Sequence, residues 1–143
     1  MTRPKRRQFH QSVLGVPAAA TLPTFARSET APILHAEESS ARLAPAVYPE
    51  TRIWGDGGTL PGPVLRARQG ERMRRLFRND LPQASSVPWH GIRIENCMDG
   101  DGGMTQPAVK PGSDFLYDFN LPDAGTYWYH PHDRNYEHMA RGL

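Results

Sequence analysis

Apolar positions in this chain come in short runs that alternate every two residues, separated by glycine and proline. The clearest run is Phe115-Leu116-Tyr117-Asp118-Phe119, in which Phe115, Tyr117 and Phe119 share one face and are candidate core residues. Glu71 to Asn79 reads as an imperfect strand: Met73 and Phe77 share a face with Arg75, while Leu76 falls among Arg72, Arg74 and Arg78. Val64 to Arg68 predicts a short strand between the turn signals Leu60-Pro61-Gly62-Pro63 and Gln69-Gly70. Ser86 to Ile94 predicts another, with Pro88 and His90 on one face and Val87 and Trp89 on the other. Proline inside a strand is unusual, because it has no donor for the ladder. After a glycine-rich loop from Met98 to Gln106, the run Gly125-Thr126-Tyr127-Trp128-Tyr129-His130-Pro131-His132 has the aromatic and β-branched content of a strand. Upstream, residues 29–46 show no clear period and read as a flexible lead-in. Order is expected from Val47-Tyr48, with Ile53-Trp54 the first clear apolar pair. Short strands at this spacing predict an all-β sandwich or barrel.

Composition agrees with that class. Hydrophobic residues make up 38%, and there are 13 glycines and 14 prolines, which favours strands and turns over a helical bundle. The 143 residues have room for one domain or part of a larger one. No uninterrupted apolar run is long enough for a retained membrane span. The single cysteine, Cys97, excludes an internal disulfide and any Cys-x-x-Cys site.

The net charge of +2 hides an asymmetry. Residues 1–28 carry five basic groups and no acidic one; the remainder has twelve basic against fifteen acidic. The body is therefore mildly acidic, which argues against nucleic acid as a partner. Six arginines between Arg66 and Arg78 read as a solvated strand face, since no aromatic run interleaves to stack on bases. Residues 1–28 read as a targeting segment: Lys5-Arg6-Arg7-Gln8-Phe9 precedes a modest apolar stretch, and the paired arginines resemble a twin-arginine export signal. Export to the periplasm or the medium is the expectation.

The candidate chemistry lies in the histidines. In an extended strand His130 and His132 project to one face with Cα atoms ~6.6 Å apart, a spacing that suits a pair of metal ions. Imidazole binds zinc, copper, iron and nickel, so His-x-His alone does not choose among them. His90, in Trp89-His90-Gly91, is a second candidate ligand site. His10, His35 and His138 need no role, and His138 reads as a solvated residue in a polar stretch.

Trp89-His90-Gly91, Met98-Asp99-Gly100, Thr105-Gln106, Pro111-Gly112 and Gly125 to His132 fall in an order that resembles the first cupredoxin domain of the laccase-like multicopper oxidases. Leu60-Pro61-Gly62-Pro63 and Gly142-Leu143 match the flanking pattern, so the resemblance covers about residues 47–143. It implies a cupredoxin-like Greek-key β-sandwich, incomplete at the C-terminus. It also implies copper as cofactor, with a small substrate oxidised at a type 1 site and dioxygen reduced at a trinuclear cluster. His90, His130 and His132 match ligands of the paired type 3 coppers. Two departures stand out. The family's first motif is His-x-His, and its first histidine, a type 2 ligand, is replaced here by Pro88, which has no side-chain donor. The later domains, which supply the remaining cluster ligands and the type 1 Cys-His pair, are expected partners not contained in these residues. No catalytic residue is assigned. The leading expectation is the copper-binding first domain of such an oxidase, inactive by itself. The alternatives are a small exported copper-binding protein without turnover, a single-domain blue-copper carrier, for which the Cys-His set is lacking, and a metal-free β domain.

Overall fold

The computed structural model describes residues 30–143. A four-stranded sheet is built from β1 (Ile33–Ala41), β2 (Thr51–Asp56), β3 (Arg72–Asn79) and β5 (Ser113–Asn120), in the order β2-β1-β3-β5. β1 pairs antiparallel with β2 and parallel with β3, and β3 pairs antiparallel with β5. A second, two-stranded sheet joins β4 (Trp89–His90) to β6 (Trp128–Tyr129). A single turn of 3-10 helix spans Asn96–Met98, and α1 (Asn135–Arg141) packs on β2.

β3 and β5 follow from their alternation. Met73 and Phe77 from one strand and Tyr117 and Phe119 from the other are buried together. The arginine face of β3 is neutralised by its neighbour. Asp118 accepts from Arg72 and lies 3.4 Å from Arg74 Nε, and Asp114 accepts two bonds from Arg78 at 2.9 and 3.0 Å. Arg75 folds back to donate to the Arg74 carbonyl at 2.6 Å. The core between the two sheets is closed by Trp89, which meets Tyr117 and Phe119 edge-on at 5.4 and 5.2 Å.

Four expectations need correction. The lead-in expected over 29–46 is not flexible where it is described, from residue 30 on, nor does order begin at Val47: β1 occupies 33–41 and sits inside the sheet, with Leu34 and Ala36 fully buried. Only its first half alternates apolar with polar. The polar second half is held by hydrogen bonds to β2, a long-range pairing invisible to local pattern. Val64 to Arg68 forms no strand; no neighbour pairs with it, and Val64 is exposed. The strand expected over 86–94 is reduced to Trp89–His90, cut on one side by Pro88 and on the other by Gly91 in a left-handed conformation (φ +86). The Val87 and Trp89 amides donate outside the β4–β6 ladder, to Tyr117 Oη (2.9 Å) and the Asp99 carbonyl (3.2 Å). Lastly, His138 is not solvated. It is buried against Trp54 with ring centroids 5.4 Å apart, and its Nδ1 lies 3.4 Å from Ser85 Oγ. Burial holds its pKa below the ordinary histidine value, so it is a neutral core residue.

Candidate metal centre

The register of β4 on β6 places the histidines. Trp89 pairs with Tyr129, and His90 pairs with Trp128. Side chains alternate across a strand, so Trp89 faces the core while His90 and Trp128 share the outer face. Tyr129, beneath them, donates its hydroxyl to the Pro63 carbonyl at 2.9 Å. Gly62 makes that approach possible, because a Cβ there would lie 2.7 Å from the Tyr129 hydroxyl. β6 ends at Tyr129, and His130-Pro131-His132 continues beyond the ladder. His130 folds under Trp128 in a stacked pair, 3.8 Å between centroids and 22° between planes, and is buried.

His90, His130 and His132 each offer one ring nitrogen within 4.8 Å of the others, and theirs is such a cluster among the described residues. His130 Nε2 lies 3.3 Å from His90 Nδ1. Two ligands at adjacent corners of a tetrahedral site, with metal–nitrogen bonds of ~2.0–2.1 Å, stand ~3.3 Å apart. The donor set therefore fits a transition metal that accepts imidazole. The protonation states fit as well. His130 Nδ1 lies 3.3 Å from the Pro131 carbonyl, which can only accept, so Nδ1 carries the proton and Nε2 keeps its lone pair. Burial first, then the neighbouring His132 and His90, push the His130 pKa below its ordinary value and favour the neutral ligand form.

One carboxylate reaches this group. Asp101 Oδ2 is 3.1 Å from His132 Nδ1. Asp101 belongs to the glycine-rich loop and bears no fixed spacing to the histidines, so local sequence carries no signal for the contact. Trp128 as a cover for His130 was equally hidden, since its role depends on where β6 ends. The remaining histidine in the described region, His35, lies elsewhere, paired with Asp80 at 2.6 Å. Cys97 is free and exposed in the 3-10 turn, apart from the cluster. Pro88 is buried beside His90 and supplies no ligand atom.

Comparison with known proteins agrees with the geometry. The sequence profile of a family described as "Multicopper oxidase" matches residues 38–143. Multicopper oxidase MmcO of Mycobacterium tuberculosis is 48% identical over 79 residues, covering 53% of this chain and 15% of its own length. Copper resistance protein A of Pseudomonas syringae pv. tomato is 43% identical over 75 residues, covering 52% of this chain and 12% of its own. Among solved structures, Lac15 from a marine microbial metagenome superposes with a TM-score of 0.74 at 48% identity, over 80% of this chain and 31% of that one. The multicopper oxidase of Pseudomonas thermotolerans gives 0.74 at 41%, over 78% and 27%. The chain thus spans only a small part of the relatives it matches. Its fold is the all-β, cupredoxin-like sandwich of these proteins, and the chain belongs to the multicopper oxidase family, whose cofactor is copper.

Proposed function

We propose that this chain is the copper-binding first domain of a multicopper oxidase, contributing His90, His130 and His132 to the paired type 3 coppers of a trinuclear centre. One observation carries the reading: three imidazole nitrogens, from segments forty residues apart, converge within 4.8 Å. Copper bound there would supply one-electron redox chemistry for the reduction of dioxygen. The chain's own part is to hold neutral imidazoles on a short, anchored ladder and to cover His130 with the Trp128 ring. Pro88 stands where the family places a type 2 ligand, so this domain brings three imidazoles and leaves that copper to ligands from elsewhere. Cys97, the one cysteine of the 143 residues, has no histidine within the five residues that follow it and so forms no type 1 Cys-His set. By itself the chain is therefore a copper binder without turnover, and a reducing substrate would be met by later domains.

Titration of Cu(II) into the purified chain at neutral pH tests this. Binding should be saturable and should weaken at least tenfold in His130→Ala, with no oxygen consumption on phenolic substrates. Copper uptake unchanged in all three single His→Ala variants would overturn the assignment of the ligands. The second reading, a small exported copper-binding protein, is favoured by Pro88. It separates from the first when the chain is joined to later multicopper oxidase domains: oxygen reduction then appears only if this chain is an oxidase domain. We propose with either reading that the protein is exported to the periplasm or medium by the twin-arginine route. The supporting residues, Arg6-Arg7 and the apolar stretch after them, lie outside the described residues.

A further inference from the structure

We propose that Asp101 is a positioning residue of the metal centre: its carboxylate holds His132 in the tautomer whose Nε2 is free to bind metal. The inference rests on the copper reading above for its purpose, and on geometry alone for its mechanism.

A neutral imidazole has one N–H and one lone pair, and a carboxylate can only accept. With Asp101 Oδ2 3.1 Å from Nδ1, the proton sits on Nδ1 and the lone pair on Nε2. The Pro131 carbonyl imposes the same choice on His130. Two ligands of the cluster thus have their tautomers set by acceptors from the chain itself. Asp101 does not join the convergent group, so it acts through His132 rather than as a ligand.

The carboxylate is held in place by its loop. The Asp101 carbonyl accepts from the amides of Met104, Thr105 and Gln106 at 3.2, 3.0 and 3.3 Å, and its own amide donates to Thr105 Oγ1 at 2.9 Å. The whole turn is pressed onto the segment leading into β4 through Gly100, at φ +92, where any Cβ would run into the Val87 carbonyl. Trp89 donates to the Asp99 carbonyl at 3.2 Å and completes the clamp. The backbone that carries His90 therefore also carries the group that orients His132, although they approach it from opposite sides of the loop in sequence. Hydrogen-bonding partners of this kind fix ring orientation and raise ligand basicity, and losing one typically costs tenfold to a hundredfold in metal affinity.

The test uses the full chain labelled with nitrogen-15, with His132 assigned by comparison with His132→Gln. At pH 8, without metal, long-range proton–nitrogen correlation of the imidazoles should show His132 protonated at Nδ1. Asp101→Ala should move the population toward Nε2–H and weaken Cu(II) binding about tenfold to a hundredfold. Asp101→Asn, which keeps the shape and an acceptor oxygen, should retain the tautomer and lose less affinity. A wild-type tautomer population in a folded Asp101→Ala chain would overturn the proposal, as would unchanged copper affinity in that variant. If the wild-type chain took up no copper at all, the copper reading would fall, while the metal-free spectra would still decide what Asp101 does to His132.

Discussion

Asp56 and His138 are buried titratable side chains, 6% and 0% exposed, and each leaves one polar atom without a partner, Oδ1 and Nε2 respectively. Burial acts on them with opposite sign. It pushes the Asp56 carboxyl up to about 6, against 3.8 for a free aspartate, so the fold favours its neutral acid. That contribution is complete below the unfolded value and is lost as pH rises through 6. At pH 7.5 the cost is about 3 kcal/mol, from roughly two pKa units at 1.36 kcal/mol each. Asp56→Asn should therefore raise unfolding free energy by about 2–3 kcal/mol at pH 7.5, and the gain should vanish by pH 4. Urea unfolding at the two pH values measures it, and an equal gain at both would refute the burial account. His138 and His130, both held below the ordinary histidine value, work the other way. Each stabilises the fold fully above about pH 6.5 and loses that contribution as pH falls through its lowered pKa. The two histidines thus contribute to the acid limb of the stability curve, beside the ion-paired carboxylates Asp114, Asp123 and Glu137, and Asp56 contributes to the neutral limb.

Among the elements, β1 decides the fold and was the hardest to read. It lies between β2 and β3, and its parallel register sets Leu34 beside Phe77. Leu34→Ala should cost about 2–5 kcal/mol, the range for truncating a buried leucine. Ile33→Ala, on the same strand but 55% exposed, should cost far less. Denaturant unfolding of the two variants gives the comparison; near-equal losses would mean that residues 33–41 do not sit inside the sheet in solution. β3 and β5 were legible because each alternates on its own. The β4–β6 pair was only half legible: the residues were identified, but eight- and nine-residue strands were expected where two residues pair. Pro88, Gly91 and Pro131 end the ladder on either side, and that short ladder leaves His130 and His132 free to fold back toward His90.

At the scale of the whole molecule, the chain spans 15% and 12% of the curated relatives named above. No helix among the described residues is long and apolar enough to cross a membrane. The proposed export depends on the basic leader, and changing Arg6 and Arg7 together to lysine should retain the protein inside the cell. Immunodetection in cytoplasmic and periplasmic fractions reads the outcome, and undiminished export of the double variant would exclude the twin-arginine route. By itself the sequence determined the family, the strand alternation of β3 and β5 and the candidate ligands His90, His130 and His132, because these reside in local order and residue type. Tertiary structure alone decided that β1 is a central strand, that His138 is a neutral core residue and that Asp101 reaches His132. Each depends on contacts between residues from ten to more than eighty positions apart, where neither period nor spacing carries information, and on burial, which sets the charge of a side chain only once the chain has closed around it.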